Sequence, residues 1–390
     1  MTGRRRALLT VAVLLSAVGC GDRGPAREQA ASSTAAGTPS TSPEPPPPPP
    51  SCAARTLAGL DPAARAGQLL MVGVPADDPG GGLAGTAGVP VGGVFLHGRS
   101  RADAATLGAA VAGLQASSAV PLQVAVDQEG GLVQTLQGPG FDELPTATEQ
   151  GARPPEEVRS TVTALARQLR AAGVTLDLAP VADVVPAGTE AANPPIGASD
   201  RQYGSDPTRV ADVVGTVVQA LQDGGVAATA KHFPGLGRVT VNTDTDLGAA
   251  DPRTTADDPA LLPFAAAVDA GTAAVMVSSA TYPQLDPDAP AVFSPAVVGL
   301  LRDRLGFDGV VMSDDLGRAV AVSQVPVERR AVDAVAAGVD VVLTVRTADA
   351  QPMAQALTDR AAADPAFAAR VTESAGRVLA LKERFGLLTC

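Results

Sequence analysis

A chain of 390 residues with formal charge −12, 45% apolar and 3% aromatic residues has enough apolar material for one large globular domain. Its acidity excludes a nucleic-acid surface, which would need clustered positive charge. With two histidines in all and no HxH pair, a zinc hydrolase built on histidine ligands is excluded as well.

The chain opens MTGRRRALLTVAVLLSAVGC, three arginines ahead of an apolar run from Ala7 to Val18. Spanning a bilayer takes about 20 apolar residues, so this run reads as an export signal. Ala17-Val18-Gly19 before Cys20 looks like a bacterial lipoprotein cleavage site. Residues 1–20 are therefore expected to be a signal peptide, and Cys20 the lipidated first residue of a protein held on the outer face of the cell membrane. An ordinary signal that happens to contain a cysteine is the alternative. Residues 21–51 shift to Ala, Ser, Thr and Pro and include the run Pro45–Pro50. Such a segment buries too little apolar surface to fold and is expected to be an extended, disordered tether. Cys52 and Cys390 then bracket residues 52–390. In an oxidising setting they are expected to close a disulfide, two free thiols being the alternative.

Within that domain short apolar runs alternate with helical patterns. The expected strands are Gln68–Val74, Gly93–His97, Leu122–Asp127, Thr175–Val181, Ala228–His232, Ala274–Ser278, Val310–Asp314 and Asp340–Val345. Between them lie alanine-rich amphipathic stretches at Ala102–Ser117, Pro155–Ala172, Pro207–Asp223, Pro259–Ala270, Pro295–Arg304 and Val327–Ala337, with a final helix from about Ala354 to Phe385. Several begin at proline, which suits a first helical turn, and several end near a glycine. Eight strand-helix units predict a single-domain α/β fold, the (β/α)8 TIM-type barrel, with a doubly wound open sheet as the competitor.

A barrel of this kind places its chemistry at the carboxyl ends of the strands. Those positions hold His97 and Arg99, then Asp127, Gln128 and Glu129, then Asp183, then Lys231 and His232, then Ser278 and Ser279, and last Ser313, Asp314 and Asp315. A ring rich in carboxylates with one Lys-His pair favours sugar or phosphate-ester chemistry over acyl transfer. Magnesium on Asp314 and Asp315 has no supporting motif, so neither metal nor cofactor is expected. After Lys231 and His232, the residues Pro234, Gly235 and Gly237 break the strand. They lead into a polar loop carrying Asn242, Asp244 and Asp246.

The strings DQEGG (127–131), LAPVADV (178–184), DRQYG (200–204), KHFPGLG (231–237) and SDDLG (313–317), in this order at strand ends, resemble glycoside hydrolase family three. The likeness is specifically to its single-domain bacterial β-N-acetylglucosaminidases. The resemblance spans about Leu57 to Leu388. It implies a retaining mechanism in which Asp314 attacks the anomeric carbon to form a covalent glycosyl-enzyme, with a second acid protonating the departing oxygen. It further implies that Asp127, Arg201, Lys231 and His232 bind the sugar, and that Asp183 supports the site from behind. Lys231 or Arg201 is expected to favour the ionised nucleophile. Two-domain members take their acid from a second domain; here the chain stops after the last helix, so the acid is expected from the barrel's own loops.

That branch of the family usually carries an Asp-Ser-His loop after KHFPGHG, and here Asn242, Thr243 and Asp244 occupy those places. Histidine titrates near neutrality unaided, whereas a carboxyl group needs desolvation or a like-charged neighbour to hold a proton. Asp244 is therefore the candidate acid/base, with Asp246 as the expected neighbour. Leu236, Leu132, Thr135 and Ser279 also depart from the pattern. The expected function is release of terminal β-N-acetylhexosamine from cell-wall or muropeptide-derived glycans. The expected partners are the glycan and, through the lipid, the membrane, with no nucleic acid and a monomeric state. The rivals are a silent wall-glycan-binding lipoprotein, separable by trapping with a fluorinated glycoside, and a related glycosidase or phosphorylase, separable by adding phosphate.

Overall fold

The computed structural model describes residues 50–390. The expected signal peptide, Cys20 and the tether up to residue 49 lie outside the described residues. Ser51 starts the folded part as a helix cap, its hydroxyl accepting from the Ala54 amide ahead of helix Cys52–Gly59.

Eight parallel strands form the central sheet: β1 (Leu70–Pro75), β2 (Gly93–His97), β3 (Gln123–Val126), β4 (Leu176–Asp177), β5 (Ala227–Phe233), β6 (Ala274–Val277), β7 (Val310–Ser313) and β8 (Val342–Thr344). Each pairs with its neighbour in sequence, and β8 returns to β1. Between β7 and β8 the ring closes through a bridge from Met312 to Val341, helped by the Asp340 and Val341 amides donating to the Val311 carbonyl. The doubly wound alternative is thereby excluded. Inside the ring Met71, Phe95, Leu176, Met276, Met312 and Leu343 form one apolar cluster, and Val378, Leu381 and Phe385 of the last helix join it. The larger apolar layer lies outside, where valine-rich strands meet helices such as Pro155–Ala171 and Pro207–Asp223.

All eight expected strands are present and helices occupy the expected helical stretches, while several boundaries differ for identifiable reasons. β4 pairs over only two residues because Pro180 has no amide to give the ladder, which resumes as a single bridge from Val181 to Lys231. Gln68 ends a short helix that Asp61 caps and Pro62 opens, so β1 starts later than expected. The expected final helix is two, Ala350–Ala363 and Pro365–Arg384. Pro365 steers Asp364 out of helical dihedrals (φ −137°, ψ 105°), and Asp364 then caps the second helix through the Ala366 and Phe367 amides. The stretch Pro295–Arg304 widens along its length, from an α-helix at Pro295–Gly299 to a π-turn at Leu300–Arg304. Two small hairpins were not anticipated: Gln128–Gly130 with Val133–Gln134, and Thr281–Tyr282 with Asp286–Pro290.

Cys52 and Cys390 are joined, their Cα atoms 5.8 Å apart, where the first and last helices meet. Near the base of β8, the fully buried Asp340 gathers Arg302, Arg370, Arg377 and Ser374, tying the barrel to its closing helix.

Candidate active site

At the carboxyl ends of the strands a pocket of about 410 Å³ is lined by Asp127, Arg201, Lys231, His232, Asp244 and Asp314 together. Those are the six catalytic and sugar-binding positions expected from the sequence. A larger groove, about 860 Å³, lies among the helices around Pro62–Gln68 and Ala104–Ala116; its charged lining is limited to Asp77 and Asp78, and it contains no cation. The smaller pocket is where opposite charges converge.

β3 and β5 supply its most tightly bound part. Lys231, buried on β5, places its ammonium 2.5 Å from Asp127 Oδ1 and 2.6 Å from Glu129 Oε1. Burial alone would lower its pKa, but the Asp127 and Glu129 carboxylates outweigh that and raise it, so it stays charged. Arg201 grips Glu129 with two parallel bonds of 2.9 and 2.7 Å and donates to the Pro195 carbonyl at 2.7 Å. Burial would push the Glu129 carboxyl up; Arg201 and then Lys231 reverse this and hold it at about 2. Glu129 is thus the brace that positions both cations. Strand-end position pointed to it, but nothing in the sequence set it apart from Gln128, because the hairpin that carries it was not foreseen.

His232 turns its Nδ1 to Asp183 Oδ2 at 2.7 Å, and Asp183 also accepts from the Leu236 amide at 2.7 Å and the His232 amide at 3.3 Å. Because a carboxylate only accepts, Nδ1 carries the hydrogen and Nε2 is left for a ligand. Asp183, fully buried, acts on the ring rather than on the pocket.

Asp314 follows β7, its amide donating to the Val277 carbonyl, and its Oδ1 accepts from the Asp315 amide at 2.8 Å. Asp315 points elsewhere, accepting from the amides of Gly317, Arg318 and Val345 and so locking the β7 loop to the end of β8. Burial pushes the Asp315 carboxyl up.

Asp244 sits on the loop after β5, in a turn closed by its amide donating to Asn242 Oδ1 at 2.9 Å. This loop is fastened to the one that follows Asp314: the Val320 amide donates to the Asp244 carbonyl and the Ala321 amide to the Thr243 carbonyl, at 3.3 and 3.0 Å. Crowding by the pocket wall, then Asp314, then Asp315 push the Asp244 carboxyl up to about 6. Water on the exposed side of the loop screens part of that push. Asp246, the neighbour expected from sequence, is not among the groups acting on Asp244; it takes a hydrogen bond from the Thr245 hydroxyl instead. The like charge comes from across the barrel mouth.

A family model described as glycosyl hydrolase family 3 N terminal domain matches residues 65–381. A beta-hexosaminidase of Xanthomonas euvesicatoria pv. vesicatoria is 38% identical over 264 residues, 65% of this chain and 76% of that protein. The crystal structure of a beta-N-acetylhexosaminidase from Beutenbergia cavernae superposes with a TM-score of 0.81 at 46% identity, over 84% of this chain and 99% of the other. A family 3 beta-N-acetylglucosaminidase from Paenibacillus sp. superposes at 0.76 with 31% identity, over 85% of this chain and 64% of that one.

Proposed function

Because the chain belongs to glycosyl hydrolase family 3 and is a β-N-acetylhexosaminidase-like glycoside hydrolase, we propose that it releases terminal β-linked N-acetylglucosamine from wall-derived glycans in two steps at Asp314 and Asp244. In the first, an Asp314 carboxylate oxygen bonds to the anomeric carbon as the glycosidic C–O bond breaks, and Asp244 gives its proton to the departing oxygen. In the second, Asp244, now a carboxylate, takes a proton from water. The resulting hydroxide displaces Asp314 and frees the sugar with its anomeric configuration retained.

The roles follow from the charge arrangement. Lys231 has one N–H beyond its two carboxylate bonds, and Asp127 and His232 Nε2 have free acceptor capacity, so together they suit the several hydroxyls of one sugar ring. The observation that carries the reading is the pair of main-chain bonds from residues 320 and 321 to 243 and 244. They tie the Asp244 backbone to the loop after Asp314, in the pocket that both residues line, where burial and then the Asp314 charge push the Asp244 carboxyl up and favour its proton. Export and a lipid anchor at Cys20 would place this activity at the outer face of the membrane, next to the wall.

The test is leaving-group dependence. Asp244→Ala should lose about 10²- to 10⁴-fold in kcat toward an alkyl β-N-acetylglucosaminide, and far less toward a dinitrophenyl one. Added azide should restore turnover and yield a glycosyl azide. Equal losses on both substrates, with no rescue, would rule Asp244 out as the acid. Attachment of a fluorinated mechanism-based glycoside to any residue but Asp314 would rule out the nucleophile.

A further inference from the structure

Of the basic side chains lining the pocket, Arg201 is already bonded to Glu129, Lys231 to Asp127 and Glu129, and the His232 ring to Asp183. Arg318 lines the same pocket, and among the described residues its guanidinium has no hydrogen bond or ion pair. Its backbone amide is held by Asp315 Oδ2 at 3.0 Å, so the residue is anchored while its charged end stays exposed. An unpaired guanidinium at the mouth of a pocket carrying Asp127, Asp244, Asp314 and Asp315 offers the one uncommitted anion-binding fork there.

Its place in the loop says which part of a substrate it meets. The groups suited to the terminal sugar come from the ends of β3 and β5 and from Arg201. Arg318 instead lies on the loop after β7, four residues after Asp314 and two before Val320, whose amide holds the Asp244 backbone. The proposed acid protonates the departing oxygen, so the residue flanking its tether flanks the departing group. The guanidinium field also reaches His97 at the end of β2, where burial and then Arg318 lower the imidazole pKa, leaving a neutral ring on that side.

We propose that Arg318 is a specificity-determining residue that selects leaving groups carrying an anionic substituent, a carboxylate in particular, next to the scissile bond. This rests on the hydrolase reading above and deepens it. A charged hydrogen bond formed with the leaving group contributes about tenfold or more to kcat/KM.

The experiment compares two β-N-acetylglucosaminides, one with a 3-carboxyphenyl and one with a 3-carboxamidophenyl aglycone, in the full-length enzyme, Arg318→Ala and Arg318→Lys. The wild type should prefer the carboxylate by about tenfold in kcat/KM. Arg318→Ala should erase the preference, bringing kcat/KM on the carboxylate down to about that on the amide, and Arg318→Lys should keep part of it. Raising the salt concentration should shrink the preference in the wild type and what remains of it in Arg318→Lys. Equal rates on the two aglycones in the wild type, or a preference that survives Arg318→Ala, would overturn the assignment and leave the hydrolase reading intact. No turnover of either compound would overturn both. A parallel arm adds inorganic phosphate: rate acceleration with sugar 1-phosphate as product, lost in Arg318→Ala, would assign the guanidinium to a free anion instead and overturn the leaving-group role.

Discussion

A carboxyl group donates a proton near neutrality only where its surroundings make the anion costly. Asp244 is in that position because the pocket wall crowds it and Asp314 and Asp315 add like charge, with a resulting pKa of about 6. Since the acid must enter the reaction protonated, kcat/KM should fall about tenfold per pH unit above about 6. A pH–rate profile checks this, and the descending limb should vanish in Asp244→Ala assayed on the dinitrophenyl substrate. The second residue-scale prediction concerns Glu129. Replacing it by Gln leaves Arg201 without its carboxylate and Lys231 with only Asp127, so kcat/KM should drop about hundredfold through misplaced sugar contacts. Thermal denaturation should show a lowered midpoint in the same variant, because a buried ion-paired group has been removed. Asp127, Lys231, His232 and Asp314 were legible as residues because a strand-end polar group after an apolar run has few other uses. Glu129 was legible as a strand-end acid but not as the brace between two cations, which depends on a hairpin, and Arg318 was not legible, since it depends on the pairing state of the other basic residues in the pocket.

Between elements, what matters is the fastening of the β5 loop to the β7 loop by two amides. Ala321→Pro deletes the donor to Thr243 without touching a pocket side chain. It should lower kcat about tenfold on substrates that need acid assistance, leave the dinitrophenyl substrate nearly unaffected, and keep the melting temperature close to wild type. Steady-state kinetics on the two substrates provides the check. Pattern reading located these loops but could not pair them, because their contact joins residues far apart in sequence through main-chain atoms that carry no side-chain signature. The same reasoning explains the divided last helix in reverse. Its break at Asp364-Pro365 is local chemistry, and the sequence carried it plainly although the periodic apolar pattern on both sides masked it.

Closure of the whole molecule depends on chain ends and barrel seam together. Cys52 and Cys390 join across 338 residues, so their cross-link restricts nearly the entire unfolded chain, an effect worth about 2–4 kcal/mol. Cys52→Ser should lower stability by that amount in urea unfolding, with activity at 25 °C unchanged because the bond lies away from the strand carboxyl ends. Alternating apolar runs, proline starts and glycine stops marked out eight strand-helix units, since those patterns record which face each element buries and where it must end, but only closure of the ring between β7 and β8 decided the (β/α)8 barrel over a doubly wound sheet. That Asp314, Lys231, His232 and Asp127 line one pocket followed, because a barrel gathers the residues at one end of its strands, while the roles expected of them came from the family resemblance. What gives Asp244 its raised pKa is a different matter. It depends on distances across the barrel mouth between loops after β5 and β7, and electrostatic coupling varies with separation in space, a quantity that order along the chain does not encode.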